Sequence, residues 1–478
     1  MATEASTATK ATLRSNAIGL PGVLFQSITT MAPASAVAFS LGAAIPYAGG
    51  ALPLTVFLAL IVCSLIALNI GSLAKHLPSA GGYFTYVSRS LGVSLGWMTG
   101  WFFGLTYLLI VPLQLLVLGP VADSFTQQYF GFSWGWAPWA VIFAVIIFVL
   151  TYFGIKISAD ASVILGCIEI GVFVVLAIWL IVSAGSSNTA AAFNPASSVE
   201  TGLGGWQGIL HGVIFAFLAF AGFESSAPLA EEAHNPRRTV PRAILFATIS
   251  IGIFYVLCSY AGVVGWGINN LGTYGAPPNH TDPWGEMAQR VWGAFDIIVI
   301  IAILNSALAN SNAGVNAASR VLYAMGRVRS LPGPLAHISK RFRTPDVAII
   351  LTMMVGIAFA LWPGEVYGTG NGFALLGTII TILILLVYMA TCIAVPFFYL
   401  REHREEFSIL RHIVLPIVPA IILIFPIYAQ FVPAPLFPLN LAAPICAGWL
   451  VLGILFIVFL KLRAPQALAQ SDKIFVEE

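Results

Sequence analysis

From Asn16 to Ala74 the chain runs for 59 residues without a single Asp, Glu, Lys or Arg. A helix crossing the hydrocarbon core of a bilayer takes about 20 largely apolar residues. The run is therefore long enough for two crossings, with Pro46, Gly49, Gly50 and Pro53 marking the turn between them. The rest of the chain agrees, with only 8% charged residues, 59% hydrophobic residues and a mean hydropathy of +0.93. Soluble domains average roughly 25% charge, so composition excludes a water-soluble enzyme, a disordered chain, a coiled coil and a disulfide scaffold. Unbroken apolar runs also exclude an outer-membrane barrel, whose strands alternate apolar and polar residues. An all-α polytopic membrane protein remains.

Dividing the other charge-poor stretches by the same length gives spans near 93–119, 136–155, 161–184, 206–230, 242–265, 294–319, 346–362, 372–399, 411–430 and 441–461. The total is 12 transmembrane helices, which puts both termini on one side. Basic residues collect in short cytoplasmic loops. With both ends cytoplasmic, 20 of the 21 Lys and Arg fall in cytoplasmic segments, and only Arg290 lies elsewhere, at the outer mouth of span 8. The organisation expected is a tail at 1–17, a first repeat at 18–185, a second at 206–400, a helix pair at 411–462 and a tail at 463–478. The first 17 residues are polar and lack a hydrophobic core followed by a small-residue cleavage site, so they read as a tail and not a cleaved signal peptide. Cys63, Cys167, Cys258, Cys392 and Cys446 all lie inside spans without CxxC spacing, which suggests neither disulfides nor a zinc site.

Two spans combine small, polar and helix-breaking residues at mid-length. Span 1 reads Gln26-Ser27-Ile28-Thr29-Thr30-Met31-Ala32-Pro33-Ala34-Ser35, and span 6 reads Phe220-Ala221-Gly222-Phe223-Glu224-Ser225-Ser226-Ala227-Pro228. Paired interruptions in corresponding helices are the best sequence pointer to a transporter site, because half-helix ends present free amides to anions and free carbonyls to cations. Their separation fits a repeat of five helices, and an odd number makes the two repeats inverted. Taken singly, Pro33 and Gly222 also read as ordinary kinks in packed helices.

Acidic residues inside spans are few. Glu169 lies near the middle of span 5 with no basic residue within a helical turn. A carboxylate at that depth is expensive unless it is protonated, paired with another helix or in contact with water. It is either a proton carrier or a permanently protonated group bonded to a neighbouring helix. Glu224 sits at the break in span 6 and reads both as a cavity residue and as a cap for the half-helix that follows. Asp296 is expected to be a solvated charge at the outer end of span 8, and Asp160 an i,i+4 partner of Lys156. Span 8 also carries a polar run of Asn305, Ser306, Asn310, Ser311, Asn312 and Asn316. Most of it reads as close helix packing, with Asn305 and Ser306 as cavity members. The seven histidines lack metal-ligand partners in sequence, and no Walker motif encodes an ATP drive. No cofactor or metal is expected, and the basic loops read as orientation signals rather than nucleic-acid patches.

Three segments resemble the amino acid–polyamine–organocation (APC) superfamily of secondary transporters, amino acid permease type, from about Gly19 to Leu462. They are Phe220 to Glu224 with Glu231-Glu232-Ala233-His234-Asn235-Pro236-Arg237-Arg238-Thr239-Val240-Pro241-Arg242-Ala243-Ile244, then Leu77-Pro78-Ser79-Ala80-Gly81-Gly82-Tyr83, and Ala318 to Arg327 with Leu331-Pro332. The resemblance implies a LeuT-like five-plus-five inverted repeat with spans 11 and 12 appended. It implies that a substrate carboxylate meets backbone amides within the segment Met31, Ala32, Pro33, Ala34 and Ser35, in which Pro33 itself has no amide proton to give, while the ammonium meets carbonyls in the segment Leu218 to Glu224. There Phe220 and Phe223 would be gate or side-chain contacts beside Ala221 and Gly222, with Tyr107 on span 3 as a cavity wall. Ion coupling would fall to Glu169, Glu224, Asn305 and Ser306. Two departures stand out. Ala32-Pro33-Ala34-Ser35 replaces the GxG that many relatives carry, and Glu169 stands where several relatives have a lysine.

The function expected is secondary transport of amino acids or related amines across the cell membrane by alternating access, proton-linked as symport or exchange. A polyamine or monoamine permease is the alternative within that class. A channel or membrane-embedded receptor is the alternative from another class, with span 8 lining a pore. A membrane enzyme ranks below both, since the spans supply no nucleophile–base or metal set. The partners expected are a small-molecule substrate, protons and the lipid bilayer.

Overall fold

The computed structural model describes residues 18–79, 81–153, 159–199, 205–230, 233–275, 282–327 and 331–463. Lys156 falls outside them, as do Glu231 and Glu232, so the Lys156–Asp160 pair lies outside what is described. No strand occurs among the described residues beyond one isolated bridge between Ile18 and Ala233. In hydrocarbon every backbone amide and carbonyl must be satisfied internally, and a helix does this within one segment.

The opening apolar run is interrupted. It comprises α1 (Leu20–Thr30), α2 (Pro33–Ser35), a π-helical turn (Ala36–Ser40) and α3 (Leu41–Ala48), and the turn Gly49–Ala51 joins it to α4 (Leu52–His76). Gly49 has φ 50°, and a Cβ there would lie 3.1 Å from the Ser197 carbonyl, so the reversal requires glycine. Then follow α5 (Tyr83–Leu91), α6 (Val93–Leu108), α7 (Ile110–Phe130), α8 (Trp136–Tyr152) and α9 (Ala159–Ala184). Helix α10 (Trp206–Phe220) precedes α11 (Pro236–Trp266), α12 (Pro283–Trp292), α13 (Ile297–Arg327), α14 (Asp346–Tyr367) and α15 (Thr369–Glu402). The chain closes with α16 (Leu415–Ile422), α17 (Ile424–Tyr428) and α18 (Ala442–Arg463). Nine helical runs among the described residues are long and apolar enough to cross a membrane, and α8 and α10 are shorter apolar helices.

Several boundaries differ from the sequence expectation. Helices α6 and α7 meet at a break at Leu109, three residues before Pro112, whose missing amide weakens the continuous ladder there. Helix α7 then continues through Pro120 to Phe130, well past 119. That extension brings Gln128 and Tyr129 beside Asp296, which is buried. Its carboxylate accepts hydrogen bonds from Tyr129 Oη and, at 3.1 Å, from Gln128 Nε2. Asp296 is thus a bonded interior group, not a solvated end charge. Helix α11 starts six residues before the expected 242, because Pro236 is pre-set for a first helical position. Arg290 lies on α12 with its guanidinium 4.9 Å from the Trp266 ring centroid, a cation–π contact.

Candidate functional site

Proline and glycine determine where the two interruptions fall. In the first run, Ala32 adopts a left-handed conformation with φ 48° and ψ 64°, and Pro33 restarts the helix. The amide that Pro33 lacks is one that a first helical position leaves unbonded in any case. The Ala36 amide donates to Ala32 O at 2.7 Å, so the new helix leaves the Ala34 and Ser35 amides without an intrahelical acceptor. The missing GxG therefore removes no donor that the turn would have used. Met31, Ala32, Pro33, Ala34 and Ser35 are all buried.

In the second run α10 ends at Phe220, ten residues before the expected end of span 6. Turns occupy Ala221 to Ser226, followed by a 3-10 turn at Ala227–Leu229, so among the described residues no α-helix resumes between this break and Pro236. Gly222 has φ 111°, and a Cβ there would lie 2.8 Å from Thr30 O. The two interruptions are therefore in contact through Gly222 and Thr30. Ser225 Oγ strengthens that contact by donating to Thr30 Oγ1 at 2.9 Å and approaching Gln26 O at 3.2 Å.

Carbonyls freed at the breaks are largely taken by side chains from other helices. Asn310 Nδ2 on α13 donates to Thr30 O at 2.6 Å. Tyr255 Oη on α11 stands 2.7 Å from Met31 O and 3.0 Å from Ala219 O, so one hydroxyl proton serves a carbonyl from each break. Ser35 Oγ donates to Gln114 Oε1 on α7 at 3.1 Å.

Glu224 is 1% exposed. Its Oε2 accepts from Tyr388 Oη at 2.9 Å and from the Gly222 amide at 3.1 Å, while Oε1 accepts from Tyr107 Oη at 3.2 Å. The Gly222 bond caps the broken turn from within, and the two tyrosines tie it to α6 and α15. Phe223 packs its ring 5.3 Å from that of Tyr388, and Phe220 lies edge-on to Tyr255 at 5.4 Å. Leu218 is buried, with its side chain directed at Gly377 on α15.

Glu169 forms a separate centre. It is 4% exposed, and its carboxylate accepts from Asn305 Nδ2 at 2.8 Å and from Ser306 Oγ at 3.2 Å. Three of the four residues expected for ion coupling thus converge, and Glu224 belongs to the tyrosine cage instead. Neither carboxylate has a Lys, Arg or His among its hydrogen-bond partners in the described residues. Sequence reasoning missed Gln114, Tyr255 and Tyr388, and assigned Asn310 to packing. Four buried polar atoms in or near this region have no partner among the described residues: Ser27 Oγ, Ser226 Oγ, Asn310 Oδ1 and Tyr83 Oη.

Comparison with known proteins agrees with the fold and the motifs. Residues 22–468 match the amino acid permease family. The chain is 26% identical over 309 residues to a general amino-acid permease of Candida albicans, an alignment covering 62% of this chain and 50% of that protein. The match spans about half the length of this relative and of a second Candida albicans amino-acid permease. A branched-chain amino acid permease of Lactococcus lactis is 25% identical, with 81% of each chain covered. A low-affinity putrescine importer of Escherichia coli is 24% identical over 64% of this chain and 66% of its own. Among solved structures, a manganese transporter of Eremococcus coleocola superposes with a TM-score of 0.56 at 12% identity, covering 94% of this chain and 95% of that one, a likeness of fold alone. With the family matched along nearly its whole length, the chain belongs to the amino acid permease family.

Proposed function

We propose that this permease is a secondary active transporter that moves amino acids or related amines across the cell membrane by alternating access, with a proton carried on Glu169. The observation that carries the reading is the contact between the two mid-run breaks at Thr30 and Gly222. Around it, the free amides of Ala34 and Ser35 suit a carboxylate, and the carbonyl-rich end of α10 suits an ammonium. The unpartnered Ser27, Ser226, Asn310 and Tyr83 atoms are the donors and acceptors such a ligand would use. On this reading the binding residues are Met31 to Ser35, Tyr107, Leu218 and Phe220 to Glu224, and Glu169 with Asn305 and Ser306 forms the coupling centre.

The same proposal includes 12 passes. The 57-residue run Leu20–His76 is long enough for two, and eight further long runs with α8 and α10 supply the others. Matching packing pairs favour an inverted repeat of five and five. Helix α1 packs on α11 as α10 packs on α4, α9 packs on α13 as α15 packs on α7, and α8 packs on α13 as α14 packs on α7. The basic loops favour cytoplasmic termini.

A polyamine or monoamine substrate is the second reading. It is favoured by two buried carboxylates without a basic partner, and by the resemblance to a putrescine importer. Uptake by proteoliposomes of labelled amino acids, diamines and monoamines, under imposed proton or sodium gradients, tests both readings. Saturable, trans-stimulated uptake driven by a proton gradient is expected. Unsaturable flux without trans-stimulation would instead indicate a channel.

A further inference from the structure

One cleft lies away from the two breaks. It encloses about 710 Å³ between the end of α4, the start of α11 and the turn that follows α15. Three residues lining it, His76, His403 and Glu406, each offer one ligand atom, and those atoms all lie within 4.8 Å of one another. His76 Nε2 is buried without a hydrogen-bond partner and stands 3.5 Å from Glu406 Oε2. Tetrahedral zinc with arms of about 2.1 Å places its ligands roughly 3.4 Å apart, so this pair already has the required spacing. The two imidazole rings lie with centroids 4.1 Å apart.

From this geometry we infer that His76, His403 and Glu406 form a site for a zinc-type transition-metal ion that ties the end of α4 to the turn after α15. Two imidazoles and one carboxylate match the ligand set of zinc sites that keep a fourth position open. Imidazole ligands favour zinc, copper or nickel over magnesium and calcium, which take oxygen donors. A supporting shell is also present. His403 Nδ1 lies 3.3 Å from Glu405 Oε1, the contact that fixes an imidazole tautomer with Nε2 free to ligate.

The surroundings also set the limits of the site. Lys75 Nζ donates to the same Glu406 Oε2 at 2.9 Å, and Arg237, Arg238 and Arg242 line the cleft. Lys75 therefore competes with the metal for that oxygen, and the arginines make an anion or hydroxide a better fourth ligand than a further neutral group.

The test uses tag-free, full-length protein in lipid nanodiscs, stripped with chelator. It is titrated calorimetrically with Zn²⁺ and spectroscopically with Co²⁺. One Zn²⁺ per chain is expected, with His76→Gln and His403→Gln each weakening binding at least about tenfold and abolishing the Co²⁺ ligand-field band. Lys75→Met should tighten binding several-fold by freeing Glu406, a gain that damaged folding cannot imitate. The proposal is overturned by the absence of saturable binding below about 1 mM, by binding that survives the double histidine variant, or by weaker binding in Lys75→Met.

Discussion

Gly222→Ala tests whether the contact between the two breaks is needed for transport. The added Cβ would lie 2.6 Å from Thr30 Cγ2, 2.8 Å from Thr30 O and 2.9 Å from Thr30 C. Two of those three atoms are backbone and cannot rotate away. The residue also sits at φ 111°, where any L side chain is strained. A non-glycine residue in a sparsely populated conformation costs about 1–3 kcal/mol, and overpacking a filled interior costs about 1–3 kcal/mol more. The sum is roughly 2–6 kcal/mol, and even its lower end shifts a conformational equilibrium about thirtyfold. Relief comes from moving the end of α10 away from Thr30. Labelled-substrate uptake at matched protein per liposome should therefore fall at least about tenfold, and the melting temperature in the same lipid should drop. Adding Thr30→Ser removes the Cγ2 methyl, the nearest contact, but leaves the two backbone atoms. It also keeps the hydroxyl that donates to Gln26 O at 2.7 Å. Recovery should thus be partial. Parental uptake and melting in Gly222→Ala, or full recovery with Thr30→Ser, would refute the reasoning.

Other perturbations separate the two buried carboxylates and the tyrosine link. Glu169→Gln should fold and bind substrate but lose the dependence of uptake on a proton gradient; an unchanged dependence rules out Glu169 as the carrier. Tyr255→Phe leaves Met31 O and Ala219 O without their donor. It should lower stability by about 0.6–1.7 kcal/mol and slow uptake, and an unaltered melting curve would count against the link. Asp282 accepts from the Gly285 amide at the start of α12. Burial, with Glu286 and Asp296 nearby, holds its carboxyl above the usual range, offset in part by that amide. A raised value means the stabilising contribution is complete below the ordinary carboxylate pKa and is lost as pH rises through the raised one. Asp282→Asn keeps a capping side chain and removes the charge, so its melting temperature should exceed the parent's at about pH 8 and converge with it by about pH 4. A variant less stable than the parent at the higher pH would contradict this.

The legible parts of the molecule were those written in single segments. Apolar runs specify helices because hydrocarbon leaves the backbone no other partner, and Pro33 and Gly222 mark the breaks because each changes the backbone locally. What the sequence concealed was tertiary. Gln114, Tyr255 and Tyr388 sit in apolar runs on which a polar tip leaves no periodic trace, and their partners Ser35, Met31, Ala219 and Glu224 lie on other elements. The misreading of Asp296 followed from one such gap. Ending span 3 at 119 removes Gln128 and Tyr129 from its vicinity, and without them a carboxylate near a helix end reads as solvated. The break at Gly222 was legible, but the absence of a resumed α-helix before Pro236 was not, since dividing the charge-poor stretch by span length carries span 6 on to 230.

The hydrogen bonding at the breaks makes their two ends chemically unequal. On the amide side, Ala34 and Ser35 have no intrahelical acceptor, so the carboxylate of the proposed substrate would bind there without displacing a backbone bond. On the carbonyl side, Thr30 O is held by Asn310, and Met31 O and Ala219 O share Tyr255. Under the proposed transport function, an ammonium bonding Ala219 O would compete with Tyr255 for that carbonyl and shift the shared hydroxyl proton toward Met31 O. Substrate would thereby weaken the α11-mediated tie between the breaks while the Gly222–Thr30 contact persists as a pivot. A ligand that interacts differently with two arrangements of the same helices is what a conformational cycle requires. A substrate with an amine but no carboxylate would weaken the same tie. The amine group would therefore drive the rearrangement, and the carboxylate would contribute affinity at the Ala34 and Ser35 amides.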